Sequence, residues 1–197
     1  MSVSGDREDD LRLTRSSTGD PLARDELVRR LGPRIRRLTR SFLHSAADAD
    51  DAAQSAMLEV LNVASAFRGE GSLEAWADRI TARIAIRMAR TRRLASVRSP
   101  TELDPDEIAA PATSPEVSEP LPRSVFAYLD ALPETRRSAL VLRHVLGYSL
   151  PEIAELTGVS INTVKDRLLS AREDVRKLVR RDLARSTCAK RSRGGEP

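Results

Sequence analysis

Cysteine is all but missing from this chain. Cys188 is the only one, so no disulfide can close within it, and a reducing compartment, the cytosol, is the expected setting. Histidine is nearly as scarce. His44 and His144 stand far apart without the spacing of metal ligands, so neither a metal site nor a catalytic imidazole is expected. No apolar run reaches the ~18 residues of a membrane span and no signal-peptide core opens the chain, so neither a transmembrane segment nor export is expected. The aromatics are three Phe, two Tyr and one Trp, fewer than an RNA-binding module normally exposes for stacking. Convergent carboxylates are lacking too: Asp48 and Asp51 alone would not make an enzyme acting on nucleic acid, so no catalytic residue and no cofactor is assigned. No internal repeat and no alternating strand pattern persists, which leaves an all-α reading of the chain.

What the chain has in plenty is charge, unevenly placed. The formal net charge of +4 is small. Yet residues 77–98 hold seven arginines against one aspartate, and residues 161–193 hold eleven Lys/Arg against four Asp/Glu. Between them, residues 99–122 carry six acidic side chains, no basic ones and six of the eleven prolines. Two basic segments around an acidic spacer point to two sites on a polyanion. The spacer has almost no large apolar residue and cannot build a core, so it reads as a flexible linker, extended where proline dominates. In 197 residues, two small helical domains fit, each of roughly 60–90 residues and each burying only about 60% of its unfolded surface. Modest stability and partner binding follow.

The most informative stretch is SLPEIAELTGVSINTVKDRLLSAREDVRKLV, residues 149–179. It reads as two helices and a tight turn. Leu150, Ile153, Ala154 and Leu156 are the apolar side of a short first helix, with Pro151 in its first turn, where a missing N–H costs nothing. Gly158 suits the positive φ of a helix C-terminus, and Ser160 can cap the next helix. Ile161, Val164, Leu168, Ala171, Val175 and Leu178 then recur every three or four residues. A small residue at the crossing, a glycine in the turn and an aliphatic anchor afterwards define a helix-turn-helix, whose second helix enters the DNA major groove. The outward residues of that helix are Asn162, Thr163, Lys165, Asp166, Arg167, Ser170 and Arg172, which can reach base edges or phosphates.

In the first half, residues 1–8 are polar and read as disordered, and a helix runs from Asp9 to a break at Gly19. Asp20 caps a helix opening at Pro21, with Leu22, Leu27, Val28, Leu31, Ile35, Leu38 and Leu43 as its apolar stripe and Gly32-Pro33 predicting a kink or a restart. The next helix, 48–67, buries Ala52, Ala53, Ala56, Met57, Val60, Leu61 and Ala64 and exposes Asp48, Asp51, Gln54 and Glu59. FRGEGS, residues 67–72, must be a turn. Ser72 caps a long helix in which Trp76, Ile80, Ile84 and Met88 form a packing stripe. Arg79, Arg83, Arg87 and Arg90 form a ridge beside it with no carboxylates spaced to neutralise them. Such a ridge repels itself in water and suits the tracking of phosphates, which guanidinium groups hold bidentately. After the spacer, residues 124–131 make a short helix. Pro133 starts another, packed through Leu140, Val141, Val145 and Leu146 and closed by Gly147.

With both halves laid out, the chain resembles the extracytoplasmic-function (ECF) sigma factors of the bacterial sigma-70 family. The resemblance rests on GDPLARDELVRRLGPRI (19–35), on the pattern Asp48, Asp51, Gln54, on FRGEGSLEAW (67–76) before an arginine-rich helix, and on residues 132–173. It implies region 2 at 9–98, a linker at 99–123, region 4 at 124–185 and a basic tail at 186–197. Region 2 would bind core RNA polymerase and the −10 promoter element, with Asp48, Asp51 and Gln54 docking on polymerase. Phe67, Arg68, Gly69, Glu70, Gly71 and Ser72 would capture an unstacked base of the non-template strand, and Arg79, Arg83, Arg87 and Arg90 would grip DNA near −10. Region 4 would read the −35 element through Ser160, Asn162, Thr163, Lys165, Asp166, Arg167, Ser170 and Arg172. Control by an anti-sigma protein is a further implication. The chain departs from the family at Ser55, where glutamate is common, and at Met57 and Leu61, where aromatics are frequent. The rival reading is a stand-alone helix-turn-helix regulator that binds DNA without polymerase.

Overall fold

The computed structural model describes residues 3–17, 19–97 and 123–193. The acidic spacer read as a linker therefore lies outside the described residues, apart from Arg123. Among the described residues eight α-helices follow one another: α1 (Val3–Ser16), α2 (Pro21–Phe42), α3 (Ala46–Asn62), α4 (Leu73–Val97), α5 (Val125–Asp130), α6 (Glu134–Leu140), α7 (Leu150–Thr157) and α8 (Ile161–Arg193). A 3-10 turn (Ala64–Ala66) follows α3, and a π turn (Val141–Val145) prolongs α6.

Helices α2, α4 and α8 start where the capping residues read from the sequence place them, while the helix expected over 48–67 opens at Ala46 behind a Ser45 cap and ends at Asn62. Asp20 accepts from the Leu22 N–H at 2.9 Å, with Pro21 in the first turn. Ser72 accepts from Ala75 N–H at 3.1 Å, and Ser124 caps α5. Helix α2 does not restart at Gly32-Pro33, because Pro33 lies on the exposed side and water can satisfy the carbonyl it leaves free. Helix α1 opens at Val3, so residues 3–8, read as disordered, are helical; once the buried end of a helix is anchored, each further residue adds a hydrogen bond at little cost.

Leu27, Leu31 and Ile35 of α2, Ala56 and Val60 of α3, Phe67, and Leu73 and Ala77 of α4 form one apolar cluster. Leu22 and Val28, expected in the α2 stripe, are exposed instead. In α4 the expected packing stripe is displaced. Trp76, Ile80, Ile84 and Met88 are only half-buried, whereas Ala77, Thr81, Ala82, Ala85, Ile86 and Ala89 are buried. Small residues on that face let neighbouring helices approach closely. What approaches is the second half of the chain. Ala82, Ala85 and Ala89 share a second cluster with Leu38 and Phe42 of α2, and with Leu142, Tyr148, Ile153, Ala154, Val164 and Leu168 from beyond the spacer.

Within the second half, buried Arg137 reaches Asp130 at 3.0 Å; burial lowers its pKa against the pull of the Asp130 and Glu134 charges. Val145, expected to pack, is 64% exposed. The π turn inserts an extra residue per turn and rotates it off the stripe, so that Leu142 is buried in its place, while Val141 packs as expected. Gly147 closes the segment at φ 73°. Arg123, placed in the spacer by the sequence, belongs to the second half: it pairs with Asp182 of α8 at 2.9 Å.

Candidate nucleic-acid interface

Helices α7 and α8 form the expected hairpin. Ser149 and Glu152 make a reciprocal capping box at the start of α7, and Gly158 ends it in the left-handed region at φ 70°. Ser160 Oγ accepts from Thr163 N–H at 3.1 Å and lies 2.9 Å from the Thr163 hydroxyl. Val164, Leu168 and Ala171 point inward. Ser160, Asn162, Lys165, Asp166 and Arg172 are exposed, whereas Thr163, Arg167 and Ser170 are half-buried. Leu169, 52% exposed on the same face, was passed over because apolar residues were assigned to the core. Its position four residues after Lys165 was the available signal, and an apolar group there suits a thymine methyl.

Arg172 is not idle. Its Nη2 lies 3.2 Å from His144 Nε2. Arginine can only donate, so that nitrogen accepts and the ring is neutral, protonated at Nδ1. Burial, then the charges of Arg172 and Arg143, hold His144 below the usual imidazole value. Its folded pKa is thus below the unfolded value of about 6.5. The stability is complete above that value and is lost as the pH falls toward and through the folded one. His144→Gln is expected to flatten the drop in melting temperature between about pH 7 and pH 5, measured by circular dichroism.

In the first half, Arg79, Arg83, Arg87 and Arg90 are all exposed along α4. They are not equivalent. Arg79 lies over the Tyr148 ring at 5.9 Å, and the Arg90 guanidinium lies against Gly158, whose added Cβ would come within 2.8 Å of it. Arg83 and Arg87 have no hydrogen-bond or ion-pair partner among the described residues.

At the N-terminal end of the ridge, FRGEGS encloses a recess of about 290 Å³, bordered by Arg68, Glu70, Ser72, Trp76 and Arg79. Gly69 and Gly71 take φ values of 73° and 147°, which lets the chain fold around it. Phe67 is buried beneath, tilted against Trp76 with ring centroids 5.5 Å apart. Trp76 is therefore not simply core: it is half-buried and forms a wall of the recess.

On α3, Asp51 and Gln54 are exposed on one face. Asp48 is half-buried and paired with Arg92, whose other nitrogen holds Glu134 of α6 at 2.6 Å. Beside Gln54 runs a groove between α2 and α3 with Arg36 and Arg40 on one wall and Leu58, 55% exposed, on the other. Leu58 continues the Asp51–Gln54 face at the next helical step, a spacing the sequence carried but its apolar character obscured.

Two helical units, one with an arginine ridge beside a loop recess and one with a helix-turn-helix, are the architecture of a two-site DNA reader. Residues 27–95 match the family described as Sigma-70 region 2, and residues 123–175 match Sigma-70, region 4. The ECF RNA polymerase sigma-E factor of Escherichia coli (strain K12) is 30% identical over 180 residues, 85% of this chain and 92% of that protein. The ECF RNA polymerase sigma factor SigM of Mycobacterium tuberculosis strain H37Rv is 32% identical over 174 residues, covering 88% and 86%. The sigma factor RpoE of Bartonella quintana, solved in complex with the anti-sigma factor NepR, shares the fold: TM-score 0.50, 20% identity, 79% of this chain and 96% of that one. The chain belongs to the ECF sigma factors of the sigma-70 family. It binds core RNA polymerase and directs it to promoter DNA, and the match in both halves sets aside the stand-alone regulator.

Proposed function

We propose that the two halves divide promoter recognition between them. Residues 9–98 engage the −10 element: the FRGEGS recess receives an unstacked base of the non-template strand against Trp76, while Arg83 and Arg87, with Arg79 and Arg90, hold phosphates. Residues 124–185 read the −35 element through Asn162, Lys165, Asp166, Leu169 and Arg172. Asp51 and Gln54, with Leu58 and with Asp48 once released from Arg92, dock on polymerase. The chain supplies no catalytic group; polymerase does the chemistry, in the cytoplasm. An anti-sigma partner, of the kind bound by the B. quintana neighbour, covers these surfaces when the factor is silent.

The observation that carries this reading is the recess itself, large enough for a base, walled by an indole and continuous with a ridge of exposed guanidinium groups. Run-off transcription with purified core polymerase, on the DNA upstream of the protein's own gene, tests it. A discrete transcript is expected; a specific footprint without polymerase and no transcript with it would overturn the reading. On the same template, Lys165→Ala is expected to weaken −35 binding evenly across sequences and to reduce the log–log salt slope by about 0.9, one phosphate contact. Asn162→Ala is expected to relax preference at one base pair with little change in slope.

A further inference from the structure

Helix α1 lies ahead of the region 2 match, which begins at residue 27. It packs against α2 and the 3-10 turn that feeds the FRGEGS loop. Two adjacent residues of α1 bear on that loop, one directly and one through α2. Leu11 covers Gly69 in the middle of the loop: a Cβ added to the glycine would meet three atoms of the Leu11 side chain at 3.3, 3.5 and 3.6 Å. The buried carboxylate of Asp10 accepts from Arg30 Nη1 at 2.6 Å. Arg30 Nε and Nη2 then donate to Glu74 Oε1 at 2.9 and 2.7 Å. Glu74 stands in the first turn of α4, directly after the loop. Burial pushes the Glu74 pKa up, but the hydrogen bond and charge of Arg30 outweigh it and leave the carboxyl below its usual value. Along α1 itself, fully buried Thr14 donates back to Asp10 O at 2.9 Å, and Ser17 donates back to Thr14 O at 2.7 Å, so neither hydroxyl is left unpaired.

Neither Asp10 nor Leu11 borders the recess, so neither would touch a base placed in it. Both act on the backbone that shapes it. A loop with two positive-φ glycines has many conformations open to it, and each residue ordered only on binding costs affinity.

We propose that α1 is a strut for the strand-capture loop, with Leu11 and Asp10 as positioning residues for single-stranded promoter DNA. The proposal rests on the reading that FRGEGS receives an unstacked base. Leu11 holds Gly69 in its left-handed conformation, and Asp10 orients Arg30 toward Glu74, so the recess exists before DNA arrives.

The test uses holoenzyme assembled from full chain and core polymerase, with 2-aminopurine placed in turn at each −10 position of the non-template strand. Wild type is expected to show a fluorescence rise at one position as its base leaves the stack. Leu11→Ala is expected to lower the equilibrium for that rise about tenfold, comparable to re-ordering one backbone residue at each capture. Leu11→Met, which restores the covering side chain, should recover most of it, and Asp10→Asn should give a partial loss through Arg30. Polymerase assembly and −35 duplex binding are expected to stay at wild-type levels in all three variants, which separates the strut from general unfolding. Wild-type capture in Leu11→Ala would overturn the proposal while leaving the capture reading intact, as would equal losses in capture, assembly and −35 binding. No fluorescence change in wild type at any position would overturn the capture reading, and the strut with it.

Discussion

Replacing Arg83 and Arg87 together by alanine is expected to abolish run-off transcription while leaving the protein folded. These two are the ridge members with no partner among the described residues; Arg79 is engaged with Tyr148, and Arg90 with the turn at Gly158. Each charge-assisted bond to a phosphate contributes about 1.5–3 kcal/mol. Losing both lowers promoter affinity by roughly two to four orders of magnitude. If both hold duplex phosphates, the salt slope falls by about 1.8. The repulsion along the ridge gives the control. Removing two exposed like charges from one helix face relieves repulsion, so the melting temperature of the double variant should be unchanged or slightly raised. Loss of transcription together with a lower melting temperature would mean that the ridge serves the fold rather than DNA. An unchanged salt slope together with a retained transcript would place the phosphate contacts elsewhere.

Gly158→Ala carries the second large effect, and it reports on two things at once. At φ 70° a side chain costs about 1–2 kcal/mol in backbone strain. The added Cβ also meets the Arg90 guanidinium at 2.8 Å, so that guanidinium must move. Thermal denaturation is expected to shift downward by about 4–8 °C for each kcal/mol lost. The double-mutant cycle with Arg90→Ala separates the causes. If the second half lies against α4 in solution, Arg90→Ala removes the obstacle, and the pair is less destabilised than the sum of the singles. Strict additivity would mean that the contact between ridge and turn is not populated and that the whole cost of Gly158→Ala is backbone strain.

The parts of the fold legible in the sequence were those fixed by local chemistry. Asp20, Ser72 and Ser160 announce helix starts because a short oxygen-bearing side chain can satisfy an orphan N–H wherever it falls. Gly158 and Gly147 announce ends because few other residues take positive φ. The arginine ridge was legible for the same reason: its spacing alone puts it on one face. What remained hidden depended on distant partners. The buried face of α4 is made mostly of alanines, which carry a weak hydrophobic signal, so the larger Trp76, Ile80, Ile84 and Met88 drew the assignment one step round the helix. Val145 was misplaced because a π turn leaves no mark in the spacing of side chains. Asp48 was legible as a carboxylate on a docking face, but not as one already held by Arg92, because that arginine is forty-four residues away. Asp10 and Leu11 were invisible for the same reason. Their significance lies in a loop nearly sixty residues further along the chain.

The alanine seam between α4 and the second half has a consequence measured in reach. With one reader at −10 and the other at −35, as proposed, the elements lie roughly 25 base pairs apart, about 85 Å along a duplex at ~3.4 Å per pair. A compact chain of 197 residues has a radius of gyration of only about 16 Å. A molecule with its seam closed therefore occupies one element at a time. The second element therefore comes within range only when the seam parts. The affinity of the free chain for a whole promoter is then its intrinsic affinity scaled by the fraction of molecules whose seam is open. Whatever keeps Ala82, Ala85 and Ala89 covered keeps one molecule from holding both elements at once.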